Sequence, residues 1–132
     1  MIRQDYFLRM AEQLALVLAR ALKLKRAGHA QTALELIDEQ YAKLLKSDSH
    51  TLADQSVAHL IEQYQEGQLA LLAELMAAEG EVRLAGLEPE AGQRCLEQAI
   101  ALYEHLNHVQ QVFDFEREGK MQHLRALLAS LK

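Results

Sequence analysis

Glu104, His105 and His108 are the residues of this 132-residue chain whose types and spacing first suggest chemistry. On a helix, positions three and four apart stand on neighbouring turns, where a zinc ion can take nitrogen and oxygen ligands. A zinc site needs more ligands than these, and neither an HExxH nor a CxxC pattern accompanies them. Solvent-facing residues near a helix end are the simpler reading. Cys95 is the second candidate. It falls in an apolar line with Leu96, Ala99 and Ile100, where a cysteine behaves as a small inert hydrophobe. No Ser-His-Asp or Cys-His pairing is visible near it. The stretch "AEGEVRLAGL" has two glycines but lacks the preceding strand and the Lys-Ser/Thr pair of a phosphate loop. Glu79 and Glu81 project to opposite sides of a helix and cannot share acid–base work. The expectation is a protein that is not an enzyme, with no catalytic residue, metal or cofactor.

The elements that must position these residues are helical throughout. Ile2, Tyr6, Met10, Leu14, Val17, Ala21 and Leu24 recur every three or four residues, and Phe7, Ala11, Leu14, Leu18 and Leu22 run beside them. Together they make an apolar face wider than a surface helix needs. Gly28 ends this first helix as a C-terminal cap. Ala30, Ala33, Leu34, Leu36, Ile37, Tyr41, Leu44 and Leu45 form the second, and "KSDSH" ends it. Ser56 caps a short third helix carrying Val57, Leu60, Ile61 and Tyr64. A fourth spans about Gln68–Ala85, and Pro89 sits in the first turn of a fifth that carries Cys95, Leu96, Ala99, Leu102, Tyr103 and Leu106. Met121, Leu124, Leu127, Leu128 and Leu131 make a last amphipathic helix. Val112–Phe115 alternates, but is too short to start a sheet. The spacing predicts an all-α fold of about six helices in a single domain, residues 1–132.

Composition narrows the setting. Half of the residues are hydrophobic and a quarter charged, the balance of a soluble globular chain. A lone cysteine excludes a disulfide framework and suits a reducing compartment. The run "LALVLA" is too short to cross a membrane, and Asp5 and Arg9 interrupt any signal-peptide core, so a cytoplasmic location is expected. The net charge of -5 is unevenly spread: six bases against two acids before Gly28, 17 acids against five bases from Gly28 to Glu118, and three bases with no acid thereafter. Cations at the end of the first helix complement its dipole. The sharper alternative is that basic ends meet an acidic middle, within one chain or between two. Neither arrangement suits nucleic acid, because the middle repels phosphates.

Two hairpins are alike. "KRAGHAQTALELIDEQYAKLL" and "RLAGLEPEAGQRCLEQAIALY" each run helix, Ala-Gly, short break, small residue, apolar helix, and the interval from Gly28 to Ala33 equals that from Gly86 to Ala91. This resembles the tetratricopeptide repeat, in which a small residue lets two helices cross closely. The aromatic and Gly-pair signature of the first repeat helix is missing, although Gly80 suits the close-contact position of the second unit. In the Gly80 register, Gly92 and Ala99, not Ala91, are the small positions. The opening "MIRQDYFLRMAEQL" and the ending "FDFEREGKMQHLRALL" are also similar to a small bacterial family of tetratricopeptide-like proteins that begins M-I-R-Q-D-Y. The resemblance implies antiparallel helix hairpins closed by a C-terminal capping helix, with no catalytic residue to carry over.

It also implies a site. First helices of such repeats line a concave groove, at Ala15, Leu18, Leu22 and Lys25 in the first unit and at Glu74, Ala77, Glu81 and Leu84 in the second. Two units are fewer than the three or so that normally bury a continuous core. The face of Met1–Lys25 therefore needs another cover. A second copy, in a homodimer, is favoured over the third or last helix folding back. The expected function is a non-catalytic protein–protein interaction or assembly module that binds a protein segment or itself. The alternatives are a helical-bundle enzyme or ligand-binding protein with a site near Tyr103, His105 and His108, and a regulatory subunit of an operon-encoded partner.

Overall fold

A left-handed turn at Gly28 (φ +86°) separates the first two helices. There the His29 N–H donates to the Leu24 carbonyl at 2.8 Å, satisfying a helix-end acceptor that only a residue tolerant of positive φ leaves reachable. The computed structural model describes residues 2–86, 88–111 and 113–131, with side chains from Asp5 onward. The expectations touching the Ile2 side chain, the first residues of the opening motif and the alternation at Val112 lie outside the described residues.

The described residues form seven helices and no strand: α1 (Ile2–Arg26), α2 (Ala30–Leu45), α3 (Ser49–Ala53), α4 (Val57–Gln63), α5 (Glu66–Ala85), α6 (Pro89–Gln110) and α7 (Phe115–Ala129). None is long and apolar enough to cross a membrane. The short α3 corrects the expectation that "KSDSH" is only a terminator. Asp48 accepts from the Thr51 N–H at 2.8 Å, and this cap, which holds the Asp48 carboxyl below its ordinary value, starts a turn that buries Leu52. Ser56 caps α4 in the same way, accepting from the His59 N–H at 3.1 Å.

α5 is the axis of the molecule. Leu69, Leu71, Leu72, Ala73, Leu75, Met76, Ala78 and Val82 are all buried, so this helix is apolar nearly all round. α1, α2 and α6 pack against it, α1 and α2 also pack on each other, and α4 and α7 rest on α6. The α5–α6 crossing is the tightest. Gly80 and Gly92 face each other there, and a Cβ on either would stand 3.0 Å from the other's carbonyl oxygen. On α1 and α2, which pack on each other, Ala21 and Ala33 are fully buried small residues. The equal Gly28 and Gly86 intervals are therefore not the structural equivalence. Gly86 sits at φ -94°, outside the left-handed region, and Gly92 and Ala99, not Ala91, are buried small residues of α6. Leu84 packs over Gly92 at this crossing.

Candidate functional site

A groove runs along the open side of α5, between α1 and α7. One end is a hollow of about 280 Å³ lined by Ala15, Leu18, Ala19 and Leu22 from α1, Glu74, Ala77, Ala78 and Glu81 from α5, and Lys120, His123 and Leu124 from α7. The other is a hollow of about 350 Å³ lined by Phe7, Leu8 and Ala11, by Gly67, Ala70 and Leu71, and by Asp114, Glu116 and Arg117. Glu74, Tyr103 and Lys120 belong to both and form the waist. Phe7 closes against Gly67, where a Cβ would meet its ring at 2.5 Å, so the glycine is what lets α1 lie flat on α5 here.

The carboxylates of α5 tie the walls together. Glu74 accepts from the Tyr103 hydroxyl and from the Lys120 ammonium. Burial, then the adjacent Glu74 charge, pushes the Tyr103 phenol far above its ordinary value. One turn pair along, Glu81 meets Lys25 of α1 at 3.6 Å and His123 of α7 at 2.8 Å. Arg125 of α7 reaches Glu104 of α6 at 3.3 Å. Lys25 of the basic first segment and Lys120 and Arg125 of the last thus meet acids of the middle within one molecule.

Of the eight residues chosen from the repeat register, Ala15, Leu18, Leu22, Glu74, Ala77 and Glu81 surround this one groove. Leu18 is only 8% exposed and serves the core as well. Lys25 sits at the edge, held by Glu81. Leu84 lies apart, at the α5–α6 crossing. Tyr103 reaches the groove, whereas His105 and His108 do not line it. Glu104 is engaged by Arg125, and among the described residues no three His, Cys, Asp or Glu side chains gather closely enough to hold a metal ion. Residues that sequence reasoning missed are those of α7. Lys120, His123 and Leu124 join the groove only because of where α7 docks on α6.

Across α5 lies a second, polar arrangement. Glu79, 3% exposed, accepts from the Tyr41 hydroxyl at 2.7 Å and from Arg83 Nε at 2.6 Å, and Arg83 also bonds Glu88 at 2.9 Å. Glu79 and Glu81 indeed point into different clefts. Cys95 is buried beside this network, and burial followed by the Glu79 charge pushes its thiol up to about 12. A thiol so protonated is a poor nucleophile at neutral pH.

Comparison with protein-family models, with curated proteins and with solved structures finds no match to this chain.

Proposed function

We propose that the chain is a non-catalytic interaction or assembly module of tetratricopeptide-like design, in which α1–α2 and α5–α6 are the repeat hairpins, α7 is the cap, and the groove takes an apolar protein segment. The observation that carries this reading is the convergence of six register-chosen residues from two distant helices on one open, mostly apolar groove. A peptide helix or strand buries its side chains in such a groove against preformed walls. The Glu74 and Glu81 clasps fix wall spacing, so little ordering remains to be done on binding. A lone buried cysteine suits a reducing, cytoplasmic setting.

The test is a photoreactive benzophenone amino acid at position 120, exposed on the α7 wall, compared with the same probe at Glu39 on exposed α2 surface. In native extract, a covalent adduct of one discrete mass from position 120, absent from position 39 and lost with Ala19→Glu, supports the groove. Equal labelling from both positions overturns it.

A further inference from the structure

We infer that the occupant of this groove is a second copy of the chain, with α1 pairing antiparallel to α1 of its mate about a two-fold axis at Ala15. α1 buries Leu14, Leu18 and Ala21 inward, but Leu8 is 56% and Leu16 75% exposed, and Ala11, Ala15 and Ala19 are exposed too. Leu8, Ala11, Ala15, Ala19 and Leu22 lie on one strip with spacings of three, four, four and three residues. That order is palindromic. Turned end for end, Leu8 meets Leu22 of the second copy, Ala11 meets its Ala19, and Ala15 meets itself. Such self-complementarity is what an isologous interface requires. Three alanines at the centre let the axes approach at the short end of the usual range, about 8 Å. Leu16, beside the strip, then packs on Leu16 of the mate across the axis.

Charge selects the direction. The C-terminal half of α1 holds Arg20, Lys23, Lys25 and Arg26 with no acid, and the N-terminal half balances Arg3 and Arg9 with Asp5 and Glu12. Parallel pairing sets four cations against four, and like charges so placed are strongly disfavoured. Antiparallel pairing brings Asp5 near Lys23 and Arg26 of the mate and Glu12 near its Arg20. Lys25 is already held by Glu81.

The inference rests on the groove reading, since the strip is the α1 wall of that groove. The test uses the purified protein alone. Light scattering at tens of micromolar should give twice the 14.9 kDa chain mass, and Ala19→Glu should weaken dimerisation at least about tenfold with helix content unchanged. Ala15→Cys should form an intermolecular disulfide at least about tenfold faster than Ser130→Cys on exposed surface, because only facing residues come within disulfide range. A wild-type mass of one chain, or equal cross-linking at both positions, overturns the pairing. If that monomer still yields a foreign adduct from position 120 in extract, self-pairing alone is lost. If neither appears, the groove reading falls with it.

Discussion

Gly80 and Gly92 touch backbone to backbone: each would place a Cβ 3.0 Å from the other's carbonyl oxygen, and Gly80 would also press Leu96 at 2.5 Å. No side-chain rotation relieves a clash with a carbonyl. The α5–α6 crossing, from which α7 and hence one groove wall is hung, therefore depends on both glycines.

Gly92→Ala should destabilise the fold by about 1 kcal/mol net, because overpacking costs roughly 1–3 kcal/mol and is only partly offset by the alanine's better helix propensity of about 1 kcal/mol. Gly119→Ala in α7 should do the opposite. Nothing lies within 4 Å of its Cβ position and its φ is not left-handed, so only the propensity gain of about 0.5–1 kcal/mol remains. Urea midpoints at unchanged slope measure both, and equal signs would contradict the crossing geometry.

Glu79 and Glu81 are two residues apart and should respond very differently to removal. Glu79→Ala strands a half-buried Arg83 and an enclosed Tyr41 hydroxyl, a loss of about 3–5 kcal/mol for a broken buried pair, toward the low end because Arg83 keeps Glu88. Glu81→Ala removes contacts at the groove edge and should cost about 1 kcal/mol. Chemical denaturation of the two variants side by side decides this. A Glu79→Ala variant as stable as Glu81→Ala would mean the buried network contributes no more than the exposed contacts at the groove edge.

The long helices were legible because their apolar residues recur at helical spacing over three turns or more, and the seven-residue α4 because Ser56 caps it just before Val57, Leu60 and Ile61. α3 was not, because in "SHTLA" only Leu52 is apolar and buried, and a single residue has no period. The sign that was there is Asp48, an N-cap three residues before Thr51. The α1 and α5 residues that line the groove were picked out through the repeat resemblance, in the registers of Gly28 and Gly80, and not through any chemistry of their own. The α7 wall did not, since the angle at which Met121 and Leu124 dock is set by α6 rather than by any local pattern. The burial of Glu79 left a fainter trace. An acid on a helix apolar nearly all round, four residues before Arg83, is a buried pair waiting for a partner such as Tyr41.

Stability should fall at alkaline pH earlier than an ordinary helical domain's would. Cys95 is held neutral in the fold up to about 12, and Tyr41 and Tyr103 are also raised, while the unfolded chain ionises its thiol near 8.5 and its phenols near 10. Because the folded values are the higher ones, the contribution is whole below the unfolded thiol value and drains away as pH climbs toward the folded one. Each such group adds a slope of up to about 1.4 kcal/mol per pH unit in that window. Denaturation between pH 8 and 11 should show the decline, and Cys95→Ala should remove the part that begins near 8.5. In the native protein the thiol should react with a disulfide reagent far more slowly than after unfolding.

At the groove's waist, Glu74 holds Tyr103 and Lys120 at once, and the two should be unequal. The Tyr103 hydroxyl is buried and bonded to a carboxylate, so Tyr103→Phe should cost about 1.5–3 kcal/mol. Lys120 is half-exposed, its attraction is screened by water and salt, and Lys120→Ala should cost at most about 1 kcal/mol, vanishing near 1 M salt. The phenol bond, less accessible to ions, should persist there. A double-mutant cycle with Glu74→Gln should assign a coupling to each pair, larger for Tyr103. If Lys120 carried the larger coupling, α7 would be held to α5 by charge rather than by the packing of Met121 and Leu124. High salt alone would then open the groove.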